Sequence, residues 1–397
     1  MNSSKASIRR LRTGVVPDWE IERLSVSYAQ IGKTLGTRLD TLVADGRCAP
    51  LFVRGEWGSG KTHMLAYLRA VAGNRGLAHV AVTLNPRGAA LNYPQRFYPT
   101  LAETVTFAGH KGLRAILFSA LANRATRHAI RAFSESPACG SLSAALRVIT
   151  ARFKLSDGLD CGDDSAWNIL LGADLAWSDS KRTKALARMV EFFSLLKVLG
   201  ASGLVAVFDE AESVDQLFNR LSRTGAYETL GSLCVQDDVL CVFGITRRFE
   251  LCIARDLNPD ISLFAHVKLA ANFLTSWRAG THSIIEPPRI TASEAARLAT
   301  LVLDTYRDAY PGVECGAAEM EAAVRRWQDN PTRNPRRLVR SVIDTLDSKR
   351  SLHRVRKSSA PDGSETSDNS NHRTDVRNAT RHSSTDTPAF QKEDSKQ

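Results

Sequence analysis

The sequence predicts an α/β fold in which helices pack around a parallel β-sheet. Two continuous apolar runs, in residues 203–208 and 239–245, are typical of strands that are buried on both faces of such a sheet. A shorter apolar run at residues 51–53 leads into a glycine-rich turn, and a helical pattern follows that turn. Strands that alternate with helices in this order indicate a parallel sheet.

The stretch from Gly55 to Thr62 matches the phosphate-binding loop pattern G-x-x-x-x-G-K-[ST]. Glycines let successive backbone N–H groups turn towards phosphate oxygens, and the helix beginning near Lys61 points the positive end of its dipole at the same anion. Lys61 supplies a charge for the β- and γ-phosphates, and the Thr62 hydroxyl can ligate Mg²⁺. An ordinary glycine turn would not need the strand before it and the helix after it.

The predicted nucleotide-binding residues are therefore the loop and the residue after it: Gly55, Glu56, Trp57, Gly58, Ser59, Gly60, Lys61, Thr62 and His63. The cofactors that this loop predicts are ATP and Mg²⁺. The sequence leaves open whether Trp57 flanks the nucleotide or packs elsewhere.

Asp209 and Glu210 end the apolar run at residues 203–208, and they predict the second half of an ATPase site. Asp209 would hold Mg²⁺ through its water shell, and Glu210 would accept the proton of the attacking water or orient that water. Ligands bind at the carboxyl ends of parallel strands, where these side chains are expected. The alternative is a solvated acidic pair at a strand end.

Three more residues are candidates for contacts with the reacting phosphate. Thr246 ends the next buried strand and could sense the γ-phosphate or the attacking water, although a strand-capping threonine is the alternative. Arg336 follows Pro335 in the first turn of a predicted helix, where it could clamp the γ-phosphate. Arg255 is a candidate arginine finger acting on a neighbouring subunit. For both arginines a solvated surface position is the alternative.

Composition changes along the chain predict four regions. Residues 1–45 comprise a flexible start, up to residue 17, and a lead-in helix. Residues 46–275 form the ATPase core, with a second strand at residues 79–84, a weak strand at residues 267–269 and a helical insertion at about 100–200. Residues 276–347 form a helical lid, and a capping pattern at Thr291 starts one of its helices. Residues 348–397 are polar and are expected to be disordered.

The chain has 53 Lys and Arg against 42 Asp and Glu, which gives a net charge of +11. This surplus favours an acidic partner such as DNA, or it simply describes a basic soluble protein. Arg124, Arg127, His128 and Arg131 share one predicted helical face that could follow phosphates without sequence preference. The seven cysteines show no metal-ligand spacing, and no apolar run is long enough for a signal sequence or a spanning helix, so a cytoplasmic protein without membrane contact is expected.

With these motifs in place, the chain resembles AAA+-type P-loop ATPases, because a sensor residue follows the fourth strand and Asn334-Pro335-Arg336 opens a helical lid. More narrowly, it resembles the ATP-binding proteins of BREX-type bacteriophage-exclusion systems. The stretches that carry this resemblance are residues 14–17, 54–63, 199–204 and 208–212, with Arg223 and residues 226–228. The resemblance implies a bacterial, cytoplasmic component of a multi-protein defence system that acts on foreign DNA.

Three functions follow from the sequence. The first is an ATPase motor or loader, expected to be a homo-oligomer, that remodels DNA or a defence complex. The second is a nucleotide-dependent switch or initiator-type ATPase in which binding matters more than turnover. Glu210 favours hydrolysis, because a protein that only binds nucleotide needs no catalytic carboxylate. The third, a non-enzymatic scaffold, would be expected to lose Lys61 or Asp209, and this chain keeps both.

Overall fold

The structure, a computed structural model, describes residues 3–155, 164–175, 182–258, 266–313, 316–330 and 333–358. The elements up to His353 pack as one unit. Its helices up to the middle of the chain are α1 (Ser3–Arg12), α2 (Ile21–Leu24), α3 (Ala29–Asp45), α4 (Lys61–Gly73), α5 (Pro94–Thr104), α6 (Leu113–Ala122), α7 (Arg124–Glu135), α8 (Ser143–Leu155), α9 (Asp164–Leu171) and α10 (Arg182–Val198). The later helices are α11 (Arg220–Cys234), α12 (Arg247–Leu257), α13 (Lys268–Ala279), α14 (Ala292–Ala309), α15 (Ala317–Gln328) and α16 (Pro335–Ser358).

Seven described strands form one mixed sheet in the order β4-β3-β2-β5-β6-β1-β7. They are β1 (Leu51–Arg54), β2 (Ala78–Thr83), β3 (Thr106–Phe107), β4 (His110–Lys111), β5 (Leu204–Asp209), β6 (Val239–Ile245) and β7 (Ser283–Ile285). The strands β2, β5, β6, β1 and β7 are successive neighbours in the sheet, and they pair in parallel, as predicted. The fold class is therefore α/β, with an antiparallel hairpin that the sequence analysis did not predict.

The missed hairpin consists of β3 and β4 at one edge of the sheet. Each strand has only two residues, which is too short for an alternating pattern to show in the sequence. The chain reverses through Ala108 and Gly109, and both have positive φ angles, 48° and 79°. Two consecutive positive φ angles are typical of the tight turn that matches the twist of a hairpin.

The weak strand predicted at residues 267–269 is wrong. Helix α13 begins at Lys268, and Ala270, Phe273 and Leu274 are buried at helical spacing. Strand β7 takes the place beside β1 instead. All three of its residues are only half-buried, and it pairs with β1 alone, so its sequence lacks the continuous apolar run of a central strand.

Alternate residues of the central strands point to opposite faces of the sheet and belong to different hydrophobic clusters. On β5, Val205 and Val207 pack with α3 and α4, whereas Ala206 and Phe208 face the larger cluster that contains α5–α13. Helix α4 buries Met64, Leu65 and Leu68 directly behind the glycine-rich loop. This packing fixes the loop over the carboxyl ends of the parallel strands.

Apart from the β3–β4 hairpin, the described residues of the predicted insertion are mainly helical, as expected. In α6, Leu113, Ile116, Leu117 and Leu121 are fully or almost fully buried. In α10 the predicted stripe is buried except for Val190, which is 39% exposed. These helices pack on the larger cluster of the sheet and do not line the cavity described below.

The start of the chain was predicted to be flexible up to residue 17, and this prediction is wrong for residues 3–12, whereas residues 1 and 2 lie outside the described residues. Helix α1 buries Ile8 and Leu11 completely in a cluster with α14, α15 and α16. Arg12 donates to both carboxylate oxygens of Asp347 at 2.9 and 2.6 Å. The ten-residue helix has only two buried apolar positions among polar residues, too few for a helical period to show in the sequence, and its stability depends on distant residues.

The C-terminal helices α14, α15 and α16 begin where the sequence predicted helices. Thr291 and Glu294 form the predicted capping box at the start of α14. Helix α16 continues to Ser358, so the prediction of disorder from residue 348 is wrong for residues 348–358. The rest of the predicted tail, residues 359–397, lies outside the described residues.

The burial of α1 predicts that its apolar residues stabilise the fold. Ile8→Ala should lower the free energy of unfolding by about 2–4 kcal/mol, because it removes a fully buried side chain and leaves a cavity. Arg9→Ala on the exposed side of the same helix is the control, with an expected change within about 0.5 kcal/mol. Urea unfolding measures both, and equal stability of the Ile8→Ala variant and the unmodified chain would contradict the docked position of α1.

Candidate functional site

The glycine-rich loop lies at the carboxyl edge of the sheet between β1 and α4. Gly58 and Gly60 have φ angles of 81° and 101°, which side chains with a Cβ rarely adopt. At Gly55 an added Cβ would lie 2.2 Å from the Ser59 hydroxyl oxygen. The loop therefore needs glycine at these positions to keep its tightly curved backbone.

Lys61 is the first residue of α4, and its side chain is nearly buried, at 9% exposure. Its ammonium group donates to the carbonyl oxygen of Gly55, across the mouth of the loop. The positive charge and the amino end of the helix thus lie at the same point. A phosphate group entering the loop would meet both.

Thr62 and Asp209 meet across the edge of the sheet, although they are 147 residues apart in sequence. The Thr62 hydroxyl donates to Asp209 Oδ2 at 2.7 Å, and the backbone N–H of Glu210 donates to Asp209 Oδ1 at 2.9 Å. Gly244 on the neighbouring β6 leaves room for this carboxylate, because an added Cβ would lie 2.5 Å from Asp209 Oδ1. Both predicted metal ligands therefore share one position.

This pair fits Mg²⁺ better than a metal held wholly by protein. The described residues contain no group of three or more His, Cys, Asp or Glu side chains that could hold a metal ion. Mg²⁺ commonly takes one or two protein oxygens and completes its shell with water and phosphate oxygens. A hydroxyl and a carboxylate at hydrogen-bond distance beside a phosphate-binding loop meet this requirement.

Glu210 follows Asp209 in a left-handed backbone conformation, with φ 61° and ψ 40°. This conformation is uncommon for a residue other than glycine and is frequent at functional sites. Burial and the neighbouring charge of Asp209 raise the pKa of Glu210, and the charge of Lys61 opposes this rise. A raised pKa makes the carboxylate a stronger proton acceptor.

A cavity of about 340 Å³ joins the loop, Asp209 and Glu210 to parts of the chain that the sequence analysis did not assign to the site. Its polar end comprises residues 56–63 with the acidic residues after β5. Its apolar wall includes Val16 from the segment after α1, and Ile290, Leu298 and Val339 from the C-terminal helices and their approach. The cavity lining thus combines the glycine-rich loop and acidic side chains with apolar side chains.

Arg336 lies in the first turn of α16 and lines this cavity. Its side chain packs on Gly14, where an added Cβ would lie 2.5 Å from Arg336 Cγ. The neighbouring Asn334 approaches the loop so closely that a Cβ on Gly58 would clash with its amide nitrogen. The structure therefore brings the start of α16 against both the loop and the segment after α1.

Thr246 and Trp57 differ in their placement. Thr246 lies between β6 and α12 and is 2% exposed, and its hydroxyl oxygen has no hydrogen-bond partner among the described residues. It does not belong to the residues found lining the cavity, so its sensor role stays a prediction. Trp57 is 79% exposed and lines the cavity, so it does not pack in the core.

Arg255 lies away from the cavity, on α12. Its guanidinium contacts Asp215 at 3.3 Å and Cys252 Sγ at 3.2 Å, and it is 54% exposed. The chain by itself does not bring Arg255 to the nucleotide site, and its role as an arginine finger stays a prediction. Arg255 also lies 3.7 Å from a carboxylate oxygen of Asp256, so two carboxylates hold this half-exposed guanidinium.

The predicted basic face of α7 is partly used within the chain. The Arg127 guanidinium lies over the Phe153 ring, 5.5 Å from its centroid. Arg131 pairs with Glu135 at 3.3 Å. The ion pair of Arg131 reduces the positive charge that this face offers to phosphates, whereas Arg127 keeps its charge.

Glu212 is a site residue that the sequence analysis did not select. It lines the cavity, and its Oε2 atom is buried without a hydrogen-bond partner among the described residues. Burial raises the pKa of Glu212. The sequence does show an acidic residue two positions after Glu210. This spacing alone does not tell whether the carboxylate lies in a cavity or faces the solvent.

His63 lines the cavity and contacts two residues of the segment between α2 and α3. Its Nε2 atom lies 2.8 Å from the Ser25 hydroxyl oxygen, and its ring meets the Tyr28 ring edge-on with centroids 5.3 Å apart. Burial lowers the pKa of His63 to about 4. The ring is therefore neutral near pH 7 and ties α4 to the segment before α3, with no positive charge for a phosphate.

Comparison with known families supports the resemblance seen in the sequence. Residues 1–130 match the family model described as the BREX system ATP-binding protein BrxC/D. The matched part contains α1, the glycine-rich loop and β2, and it ends within α7. A search of curated proteins found no match to the chain. None of the described helices is long and apolar enough to cross a membrane.

The buried His63 predicts a pH dependence of stability. Its pKa is about 4 in the folded chain and 6.5 in a model peptide, so the unfolded chain binds more protons between these values and stability falls as the pH is lowered. His63→Gln should reduce the difference in unfolding free energy between about pH 7 and pH 5 by about 2 kcal/mol. Urea unfolding at both pH values measures this, and an unchanged difference would show that His63 does not titrate on unfolding.

Proposed function

We propose that this chain is an AAA+-like P-loop ATPase that binds ATP with Mg²⁺ and hydrolyses it as part of a bacterial BREX defence system. The observation that carries this proposal is the convergence of Lys61, the Thr62–Asp209 pair and Glu210 on one cavity. The match of residues 1–130 to an ATP-binding family of BREX systems supports it.

In this proposal the groups that bind phosphate and those that bind Mg²⁺ have separate tasks. The loop N–H groups and Lys61 bind the β- and γ-phosphates, because backbone N–H groups of a glycine-rich turn and a lysine charge both attract an anion. Thr62 and Asp209 would hold Mg²⁺, which supplies positive charge at the phosphate oxygens when it is bound. Both protein oxygens already lie within hydrogen-bond distance of each other, so little rearrangement is needed.

Glu210 acts on the attacking water. Its raised pKa favours acceptance of the water proton, and it lines the cavity next to the Asp209 carboxylate. Glu212 has an unpartnered oxygen in the same cavity and is the second candidate for this task. Thr246 would sense the γ-phosphate through its unpartnered hydroxyl group.

The apolar end of the cavity would bind the adenine ring. Val16, Ile290, Leu298 and Val339 supply apolar contacts, and Val16 comes from a different end of the chain than the other three. Helices α14–α16 act as the lid in this proposal, and Arg336 clamps the γ-phosphate. Binding of ATP would then order the lid against the loop.

We further propose a cytoplasmic location and a homo-oligomer that acts with other defence-system proteins on DNA. Arg255 is exposed and is our candidate finger for a neighbouring subunit. A nucleotide-dependent switch is the alternative. It is favoured by the contact of Arg336 with Gly14, because a change at the γ-phosphate would be passed directly to the segment that docks α1.

The chemical step tests the proposal through Glu210. Glu210→Gln should keep ATP affinity while turnover falls by about 10²-fold or more, since the amide cannot accept the proton. Single-turnover hydrolysis and binding of a fluorescent ATP analogue measure the two effects. Lys61→Ala is the matched control that should lose binding itself. If Glu212→Gln loses turnover and Glu210→Gln does not, the proton acceptor is Glu212.

The lid contact is tested by comparing nucleotides. Arg336→Ala should weaken ATP more than ADP, because only ATP carries the phosphate group that the arginine contacts. Arg337→Ala is the control, since this neighbouring arginine is exposed and does not line the cavity. Calorimetric titration with both nucleotides measures the ratio of affinities. Equal losses for ATP and ADP would place Arg336 outside the γ-phosphate site.

A further inference from the structure

A second cavity, of about 330 Å³, opens between α15 and α16 on a face separate from the nucleotide cavity. We call it the arginine cleft, and its lining residues are Arg326, Arg337, Arg340, Ser341, Asp344, Thr345 and Ser348. None of these residues lines the nucleotide cavity. The lining contains three arginines and one carboxylate, so it carries a surplus of two positive charges.

The three arginines keep their positive charge available. All three are exposed, and none forms an ion pair within the described residues. Arg326 donates to the Thr345 hydroxyl at 3.3 Å, and Arg340 donates to the Thr13 carbonyl oxygen at 3.0 Å. Neutral partners such as these hold a guanidinium in place without cancelling its charge.

Other arginines of the chain show the contrast. Arg325, next to Arg326 on α15, pairs with Glu321 at 3.0 Å. Arg131 on α7 pairs with Glu135, and Arg127 lies over an aromatic ring. On the face of α7 that the sequence suggested for DNA, the charge of Arg131 is thus partly neutralised. The arginine cleft is the better site for an anionic partner.

The chemistry of the cleft selects the kind of anion. Guanidinium groups donate paired hydrogen bonds to phosphate oxygens, and serine and threonine hydroxyls add single donors. The lining has no aromatic side chain on which a base could stack. Contacts of this type hold a nucleic-acid backbone without reading its sequence.

We propose that the arginine cleft binds the phosphate backbone of duplex DNA. This inference rests on the DNA partner in the proposed function and gives that partner a site on the chain. The helical positions explain how one helix serves both cavities. Arg336 and Val339 line the nucleotide cavity. The next residue in each case, Arg337 and Arg340, lines the cleft.

The test compares two triple variants of the full chain that lose equal charge. The cleft variant carries Arg326→Gln, Arg337→Gln and Arg340→Gln. The control carries Arg124→Gln, Arg131→Gln and Arg147→Gln on α7 and α8, where all three side chains lie outside the cleft. Fluorescence anisotropy with a duplex of about 20 base pairs, without nucleotide and from about 50 to 200 mM salt, gives affinity and its salt dependence.

The cleft variant should lose about tenfold or more in duplex affinity, and the slope of log affinity against log salt should become shallower by about 2–3. The control should keep its affinity within about twofold. Ser348→Glu, which adds a carboxylate beside the cleft without removing an arginine, should weaken the duplex in the same direction. This variant and Arg337→Gln alone keep the test valid if the triple variant does not fold.

Three results would overturn the inference. The first is no duplex binding by the unmodified chain at low salt. The second is an equal loss in the cleft and control variants, which would make the effect one of net charge. The third is binding of a polyglutamate peptide that depends on the cleft arginines while duplex DNA does not compete, which would assign the cleft to an acidic protein. ATP-analogue binding by the cleft variant is measured separately, so a failure of the nucleotide site and a failure of the cleft are distinguished.

Discussion

The hydrogen bond between Thr62 and Asp209 depends on the whole parallel sheet. The two residues come from the helix after β1 and from the end of β5, and β6 lies between these strands. Their contact requires that all three strands end at one edge and that the middle strand leaves space. Gly244 leaves that space, since any side chain there would overlap the Asp209 carboxylate. The register of buried apolar residues on β5 and β6 thus decides whether two polar groups can meet.

A second constraint closes the site from outside the sheet. Helix α1 and the C-terminal helices share one hydrophobic cluster, in which Ile8 and Leu11 pack with residues of α14–α16. The Arg12–Asp347 ion pair and the packing of Arg336 on Gly14 lie along the same contact. The first and last described parts of the chain therefore form one wall of the nucleotide cavity. A movement of α16 would therefore be transmitted to α1 and to this wall of the cavity.

The charges of the chain are distributed unevenly over this frame. Many exposed arginines pair with nearby carboxylates, as Arg325 and Arg131 do. Arg326 and Arg340 of the cleft have hydroxyl and carbonyl partners instead. The net charge of +11 alone would not locate a DNA site, because it counts paired and unpaired side chains equally. Only the contacts of each guanidinium group distinguish the arginines that form ion pairs from those that do not.

The sequence by itself determined the loop, the acidic strand end and the central parallel strands. These features are local: glycines at fixed spacing impose backbone conformations, and a strand buried on both faces needs a continuous apolar run. The sequence did not reveal α1, the two-residue strands of the hairpin, or β7, because each has too few apolar positions for a period to show. Val16, Leu298 and Glu212 joined the site only in three dimensions. Only the tertiary structure decided the apolar wall, the placement of Arg336 and the arginine cleft, because their residues meet through packing between distant elements and no local pattern encodes that packing.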